Sequence, residues 1–396
     1  MTWESARGRH LPRNFFDALD QAIAQARSRG VEVIDLSKGN PDLPTPAHVV
    51  EALGRAAGLL HNQGYAGFRA TQGLREAIAR RYLLDHGVTL DPDTQVAVFQ
   101  GSGEAIMALP HALMDPGQTL LVPDPGYPPY LDAAQLGGVD VRRIPLREEH
   151  GFRPALDPAS SGSWRGARLL LLNYPNNPTG SVADEAFWVD AREAARREGV
   201  LLVNDFAYAH LDHARPVAVS ALSADPHGED LLELGSMSKT YSMAGWRIGW
   251  AVGNPQAVAA LTRYRSVAST LIFGAVQDAA EAALAGDQDA AHTIAARYRA
   301  RRDLVVDALR AGGWHVGDAA GTFFVWARPP SSSDRPADGE EVARRLLEET
   351  GVAVAPGRGF GDNGRQWVRL GLVQPCDVLT RACELLVGWG RQEARR

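Results

Sequence analysis

From about residue 90 to residue 255, short apolar runs alternate with longer stretches of helical periodicity. The runs predict strands at Gln95 to Phe99, Thr119 to Val122, Arg168 to Leu172, Val200 to Asn204, Leu231 to Leu234 and Ile248 to Val252. Between several of them lie amphipathic segments such as Asp184 to Arg197, which predict helices. That alternation is the signature of an α/β fold. A long helical pattern follows from about residue 290 to 311, carrying Arg297, Arg299, Arg301 and Arg302; such a charge run is expected to be the solvated face of a linking helix. Then come a strand (Thr322 to Ala327), a helix (Gly339 to Thr350) and a strand (Trp367 to Leu372), a mixture that predicts a second, smaller α/β domain completed by the N-terminal segment. The densest loop signal is Pro329-Pro330-Ser331-Ser332-Ser333.

Composition narrows the field. With 396 residues, 45% of them hydrophobic, the chain can bury one large and one smaller core. A net charge of -6 offers no electrostatic case for nucleic acid or an anionic membrane surface. The apolar runs are far too short to span a bilayer, and Met1 to Arg13 lacks the apolar stretch of a secretion signal, so a cytoplasmic location is expected. Cys376 and Cys383 stand seven apart on one helical pattern, roughly 10 Å along its axis. That is too far for a disulfide, and no metal-ligand spacing accompanies them, so no metal is expected.

The chemistry concentrates at strand ends, where open α/β sheets bind ligands. Gly235-Ser236-Met237-Ser238-Lys239 sets an amine beside hydroxyls, with Arg247 eight residues on. A lysine amine condenses with carbonyls, including the aldehyde of pyridoxal phosphate, and serines with arginine suit its phosphate. Ser102 and Gly103 begin a helix after a strand, presenting free amides that suit an anion, although many such turns bind nothing. Asp205 ends a strand; it is either a helix cap or the partner of a protonated pyridine nitrogen. In Asn173-Tyr174-Pro175-Asn176-Asn177-Pro178-Thr179-Gly180, a rigid turn, Asn177 is a candidate amide donor. Tyr127 is either a core tyrosine or a stacking face for a flat ring, and Arg369 either pairs with an acid or clamps a planar anion.

Taken together these residues resemble the class I/II aminotransferases of the aspartate aminotransferase fold, the fold type I pyridoxal-phosphate enzymes, over essentially the whole chain. The lysine segment matches the Ser-x-Ser-Lys-x5-Gly-x-Arg-x-Gly signature without a gap, and the Gly39-Asn40-Pro41-Asp42 loop, Tyr65, Tyr127, Asn-Pro-Thr-Gly, Asp-x-x-Tyr and Arg369 follow in the family's order. The resemblance implies a large domain with a mostly parallel seven-stranded sheet between helices, plus a smaller α/β domain. The expected boundaries are an N-terminal arm at 1–45, the large domain at 46–286, and an interdomain helix with the small domain at 287–396.

The resemblance also implies roles. Lys239 is expected to bond covalently to pyridoxal 5′-phosphate and to serve as catalytic base. Asp205 should pair with the ring nitrogen, Asn177 and Tyr208 with the ring oxygen, and Tyr127 should stack on the ring. Ser102, Gly103, Ser236 and Arg247 should hold the phosphate, joined by Tyr65 from the neighbouring subunit of a homodimer with shared active sites. Arg369, Asn177 and Gly39 should bind the substrate carboxylate. The reaction would move an amino group between an L-amino acid and a 2-oxo acid by a ping-pong mechanism.

Leu36 to Asp42, Asn173 to Asn177 and Asp205-Phe206-Ala207-Tyr208 look closest to a bacterial subgroup assigned variously to methionine or 4-methylthio-2-oxobutanoate, alanine, and LL-diaminopimelate. The segment 269–274 has no arginine where aspartate-specific relatives place a side-chain clamp, which favours a neutral donor such as methionine. Lys38 points the other way, toward an acidic substrate, unless it is an idle loop lysine. A carbon–sulfur lyase on the same scaffold is the rival enzyme. A regulator with a preceding DNA-binding domain is disfavoured, because the family pattern begins by about Leu11.

Overall fold

The structure, a computed structural model, describes residues 3–9, 15–156, 164–269, 271–330 and 337–395. Leu11, Thr270 and Ser331 to Ser333, which figure in the reading above, lie outside the described residues.

Seven strands form the main sheet: β1 (Val96–Phe99), β2 (Thr119–Asp124), β3 (Asp140–Pro145), β4 (Ala167–Leu172), β5 (Leu201–Asp205), β6 (Leu231–Ser236) and β7 (Gly249–Gly253). Their spatial order is β1-β7-β6-β5-β4-β2-β3. Only β7 pairs antiparallel to its neighbours; every other pairing is parallel. Buried on both faces, the strands other than β3 read as apolar runs rather than alternations. In β4, Leu169 and Leu171 enter one core cluster while Leu170 and Leu172 enter another, and Val203 and Leu202 divide in the same way in β5. The helix predicted over Asp184 to Arg197 spans Glu185–Glu198, with the Asp184 carboxylate accepting from the Phe187 amide at its start.

A smaller antiparallel sheet orders Ala355–Pro356, Val368–Gly371, Phe324–Arg328 and His315–Val316 side by side. It packs under the long helix Asp289–Ala311 and the C-terminal helix Cys376–Glu393. The N-terminal segment joins this region: Ile34–Asp35 pairs in parallel with Val352–Ala353, and the Gly371 amide donates to the Leu36 carbonyl. No helix among the described residues is long and apolar enough to cross a membrane.

The arginine run on the long helix is not uniformly solvated, which corrects the reading above. Arg297 and Arg299 are exposed, but Arg301 is buried. Its two terminal nitrogens donate to Asp42 at 2.7 and 2.8 Å, and one also reaches the Leu372 carbonyl. A charge pattern along a helix cannot show which arginine meets a carboxylate arriving from far away in sequence. Because Asp42 belongs to the loop that carries Gly39, this pair ties the loop to the helix.

Truncating Arg301 should therefore strand a partly buried carboxylate. We expect Arg301→Ala to destabilise the fold by about 3 kcal/mol or more, while Arg297→Ala stays within about 0.5 kcal/mol. Urea unfolding of both variants measures the difference, and equal effects would mean that the Asp42 pair contributes nothing special.

Candidate active site

At the carboxyl edge of the main sheet lies a cavity of about 380 Å³. Its lining includes Gly39, Ser102, Gly103, Tyr127, Asn177, Asp205, Tyr208, Ser236, Lys239, Arg247 and Arg369. Every site residue singled out in the sequence is thus brought together except Tyr65, which is almost wholly exposed in a stretch that also exposes Leu60 and Phe68.

Strand direction explains the assembly. β1, β2, β4, β5 and β6 end at this edge, so the residues that follow them converge here. β7 runs the other way, so the residue that serves the edge precedes it, and that residue is Arg247. Gly249, which opens β7, faces Phe99 on one side and Ser236 on the other. A Cβ on Gly249 would fall 2.4 Å from the Ser102 amide nitrogen and 2.8 Å from the Gly235 carbonyl oxygen, so only glycine allows these strands to close up.

One wall is an anion cradle. The helix Ser102–Leu113 starts after Gly101, whose φ of 84° lies in the left-handed region. The Ser102 and Gly103 amides that open it lack intrahelical partners and sit at the positive end of the helix dipole. The Arg247 guanidinium occupies the place a Gly101 side chain would need, with Nη2 2.4 Å from the ideal Cβ position. It is held by donating to the Ala244 carbonyl at 2.7 Å and the Gln100 carbonyl at 3.2 Å. Ser236 ends β6 and accepts from the Ser238 amide, forming the turn that presents Lys239.

Lys239 Nζ donates to the Gly39 carbonyl at 3.0 Å and lies 5.3 Å from the Phe323 ring centroid. Burial, then Arg369 and Arg247, push its pKa down to about 8, with Asp205 opposing. Asp205 is buried at the end of β5, and it does not cap a helix. Its carboxylate accepts from the Tyr130 hydroxyl at 2.8 Å and from the Ala207 amide at 3.3 Å. Burial raises its pKa to about 6, against the pull of those hydrogen bonds and of Lys239.

Arg369 is 2% exposed on its strand. It donates to Asn177 Oδ1 at 2.8 Å and to the Ser37 carbonyl at 2.9 Å, and its guanidinium carbon lies 3.9 Å from the Phe324 ring centroid. Its Nε is buried with no hydrogen-bond partner among the described residues, and burial lowers its pKa to about 10. Both acceptors of the guanidinium are uncharged, so among the described residues no acid of the chain hydrogen-bonds to it. A buried guanidinium so placed is chemically suited to receive a planar anion.

Several lining residues escaped the sequence reading as site residues. Asn173 is a hub: its Nδ2 donates to the Asp205 carbonyl at 2.6 Å and its Oδ1 accepts from the Asn177 amide at 2.8 Å. Tyr130, which does not line the cavity itself, supports Asp205 from behind, and Phe16 and Asp20 reach the cavity from the helix Phe15–Ser28. Only Tyr130 had a local signal, three residues after Tyr127 at a helix start. Lys38 does line the cavity, but it pairs with Asp20 at 2.6 Å. Of the segment 269–274, noted above for lacking an arginine, the described residues 269 and 271–274 do not line the cavity.

Comparison with known proteins agrees with this geometry. A family model described as aminotransferase class I and II matches residues 31–386. The chain is 40% identical over 387 residues to an LL-diaminopimelate aminotransferase of Desulforudis audaxviator, covering 97% of each. It is 39% identical over 374 residues to an L-glutamine–4-(methylsulfanyl)-2-oxobutanoate aminotransferase of Bacillus subtilis, covering 94% of this chain and 93% of the relative. A substrate-bound structure of BacF from Bacillus subtilis superposes with a TM-score of 0.91 at 36% identity, covering 98% of both chains.

The depressed Lys239 pKa has a kinetic consequence. If Lys239 is the lysine that captures pyridoxal phosphate, its neutral amine would be the nucleophile, and the capture rate of cofactor-free protein should rise with pH through about 8 and level off above it. Stopped-flow absorbance across pH 6 to 10 tests this, and a rate still climbing steeply at pH 10 would mean an ordinary lysine.

Proposed function

We propose that this chain, which belongs to the class I and II aminotransferases and works with pyridoxal phosphate, moves an amino group between an L-amino acid with a neutral side chain, such as methionine, and a 2-oxo acid. The observation that carries the side-chain reading is the charge inventory of the cavity. Among the described residues its lining cations are Lys38, Lys239, Arg247 and Arg369, and Lys38 is already neutralised by Asp20. If the phosphate takes Arg247 and the α-carboxylate takes Arg369, the described lining leaves no unpaired cation for a side-chain carboxylate.

The residues present fit the cofactor. The cradle at Gly101 to Gly103 with Arg247 and Ser236 suits its phosphate, and Asp205 suits a protonated ring nitrogen. Asn177 commits its carbonyl to Arg369, which leaves its amide nitrogen, beside Tyr208, for the ring oxygen. Tyr127 offers a face for stacking. When bound, pyridoxal phosphate supplies an aldehyde for capture of the amino group and a ring that withdraws electrons from the substrate's Cα.

In this reading the protein's own work is positional and proton-handling. Arg369 fixes the substrate carboxylate and so orients the Cα–H bond. Lys239 Nζ, once released from its bond, takes the proton from Cα and later returns one; a pKa near 8 suits a base that works near neutral pH. Phe16, Phe324 and Gly39 line the cavity and would limit the access of water to the substrate's Cα.

A second reading takes LL-diaminopimelate as donor, as in the relative of that name; it is favoured by the position of Lys38 and Asp20 on the cavity wall. We also propose a homodimer in which Tyr65 reaches the neighbouring phosphate site, supported by the exposure of Leu60, Tyr65 and Phe68. The division at 45/46 and 286/287 is supported by the separate sheets on either side. Two free cysteines suit a cytoplasmic protein.

Lys239→Ala should lose the covalent cofactor absorbance and all transamination. Arg369→Ala should raise KM for every amino and oxo acid by on the order of 10- to 100-fold, whatever their side chains. The deciding experiment is a panel of methionine, alanine, glutamine, aspartate and LL-diaminopimelate against several oxo acids, with ammonia, methanethiol and 2-oxobutanoate release from methionine followed in parallel. Preference for LL-diaminopimelate or aspartate would sink the neutral-donor reading, and ammonia with methanethiol and 2-oxobutanoate in place of oxo-acid exchange would identify a lyase.

A further inference from the structure

Asp205 faces a physical problem that the sequence does not reveal. It is a carboxylate in the buried floor of the site, and burial alone pushes it toward the neutral acid. A neutral acid cannot stabilise a protonated ring nitrogen. The groups that face it are few. Lys239 approaches from the turn after β6, Ala207 from its own segment, the Tyr127 and Tyr208 phenols from two further segments, and Tyr130 from the helix Pro129–Gly137. Tyr127 and Tyr208 bear no charge at neutral pH. Lys239 is a cation only below about pH 8, and in the proposed function its nitrogen is bonded to the cofactor for part of the cycle. The Ala207 amide is a long partner at 3.3 Å. The steady donor is Tyr130, whose hydroxyl donates a hydrogen bond to Asp205 Oδ2 at 2.8 Å.

We propose that Tyr130 is a positioning residue that holds the Asp205 carboxylate in the orientation and charge state its cofactor-facing role requires. This rests on the reading of Asp205 as the partner of the ring nitrogen. Tyr130 is 1% exposed, so its hydroxyl has no water to turn to. Its ring packs edge-on against Tyr127, with centroids 5.6 Å apart and planes at 84°. One side chain therefore touches both the acid below the ring site and the aromatic beside it. A hydrogen bond from a neutral hydroxyl to a carboxylate stabilises the charged form specifically, so losing it raises the carboxyl pKa.

The test is a double-mutant cycle on the holoenzyme using Tyr130→Phe, which keeps the ring and its contact with Tyr127, and Asp205→Asn. The readouts are the cofactor dissociation constant, the pH titration of the bound cofactor's visible absorbance and the acid limb of the kcat/KM profile. In the wild-type background, Y130F should weaken cofactor retention roughly tenfold and move the acid limb up by about one pH unit. In the D205N background it should change cofactor retention by less than twofold. Equal weakening in both backgrounds, or an unmoved acid limb, overturns the proposal and leaves Tyr130 as a packing residue. If D205N itself leaves cofactor binding and absorbance unchanged, the premise about Asp205 fails instead, and the two failures are told apart by that single variant.

Discussion

The close approach of three strands at Gly249 is the constraint on which the site depends. β1, β7 and β6 come so near there that even a methyl group would collide with the Ser102 nitrogen on one side and the Gly235 carbonyl on the other. Through that contact the turn after β1, the lysine turn after β6 and the arginine before β7 reach one point. A wider spacing would leave the same residues on the same elements but separate the anion cradle from the amine. The reversed direction of β7 matters equally, because it delivers Arg247 from the front of a strand to an edge otherwise built from strand ends.

Electrostatics follow from that convergence. Lys239, Arg247 and Arg369 line the cavity with the buried acid Asp205; burial lowers the pKa of Lys239 and of Arg369, and the two arginines lower that of Lys239 further. Such a site is unfavourable by itself and becomes favourable when anions enter it. The protein tolerates the strain because secondary contacts hold the charges still. Asn177 and the Ser37 carbonyl hold Arg369, the Gln100 and Ala244 carbonyls hold Arg247, and Tyr130 with Asn173 holds Asp205. What rigidity contributes here is orientation already established before substrate arrives.

Much of the fold was legible in the chain. The six strands expected in the large sheet occur with ends shifted by at most two residues, because burial on both faces leaves an unbroken apolar run. β3 was not legible: Asp140-Val141-Arg142-Arg143-Ile144-Pro145 is an edge strand, half solvated, whose arginines hide any apolar signal. Arg301 was misjudged because helical spacing says which residues share a face but not what meets that face. Lys38 looked like a lone cation because Asp20, eighteen residues away in sequence, is brought beside it only when the helix Phe15–Ser28 lies over the cavity mouth.

The sequence by itself determined the chemistry available: an amine flanked by hydroxyls, an acid at a strand end, an arginine on a strand, each beside a turn that short-range geometry dictates. Those choices are local, so motif and periodicity carry them. The tertiary structure alone decided which charges are compensated. It set Arg369 against the uncharged acceptors of Asn177 and Ser37, gave Lys38 a partner, placed Arg301 against Asp42 and set Tyr130 against Asp205. Charge compensation is a matter of distance through space and exclusion of water, and neither quantity exists until the chain has folded.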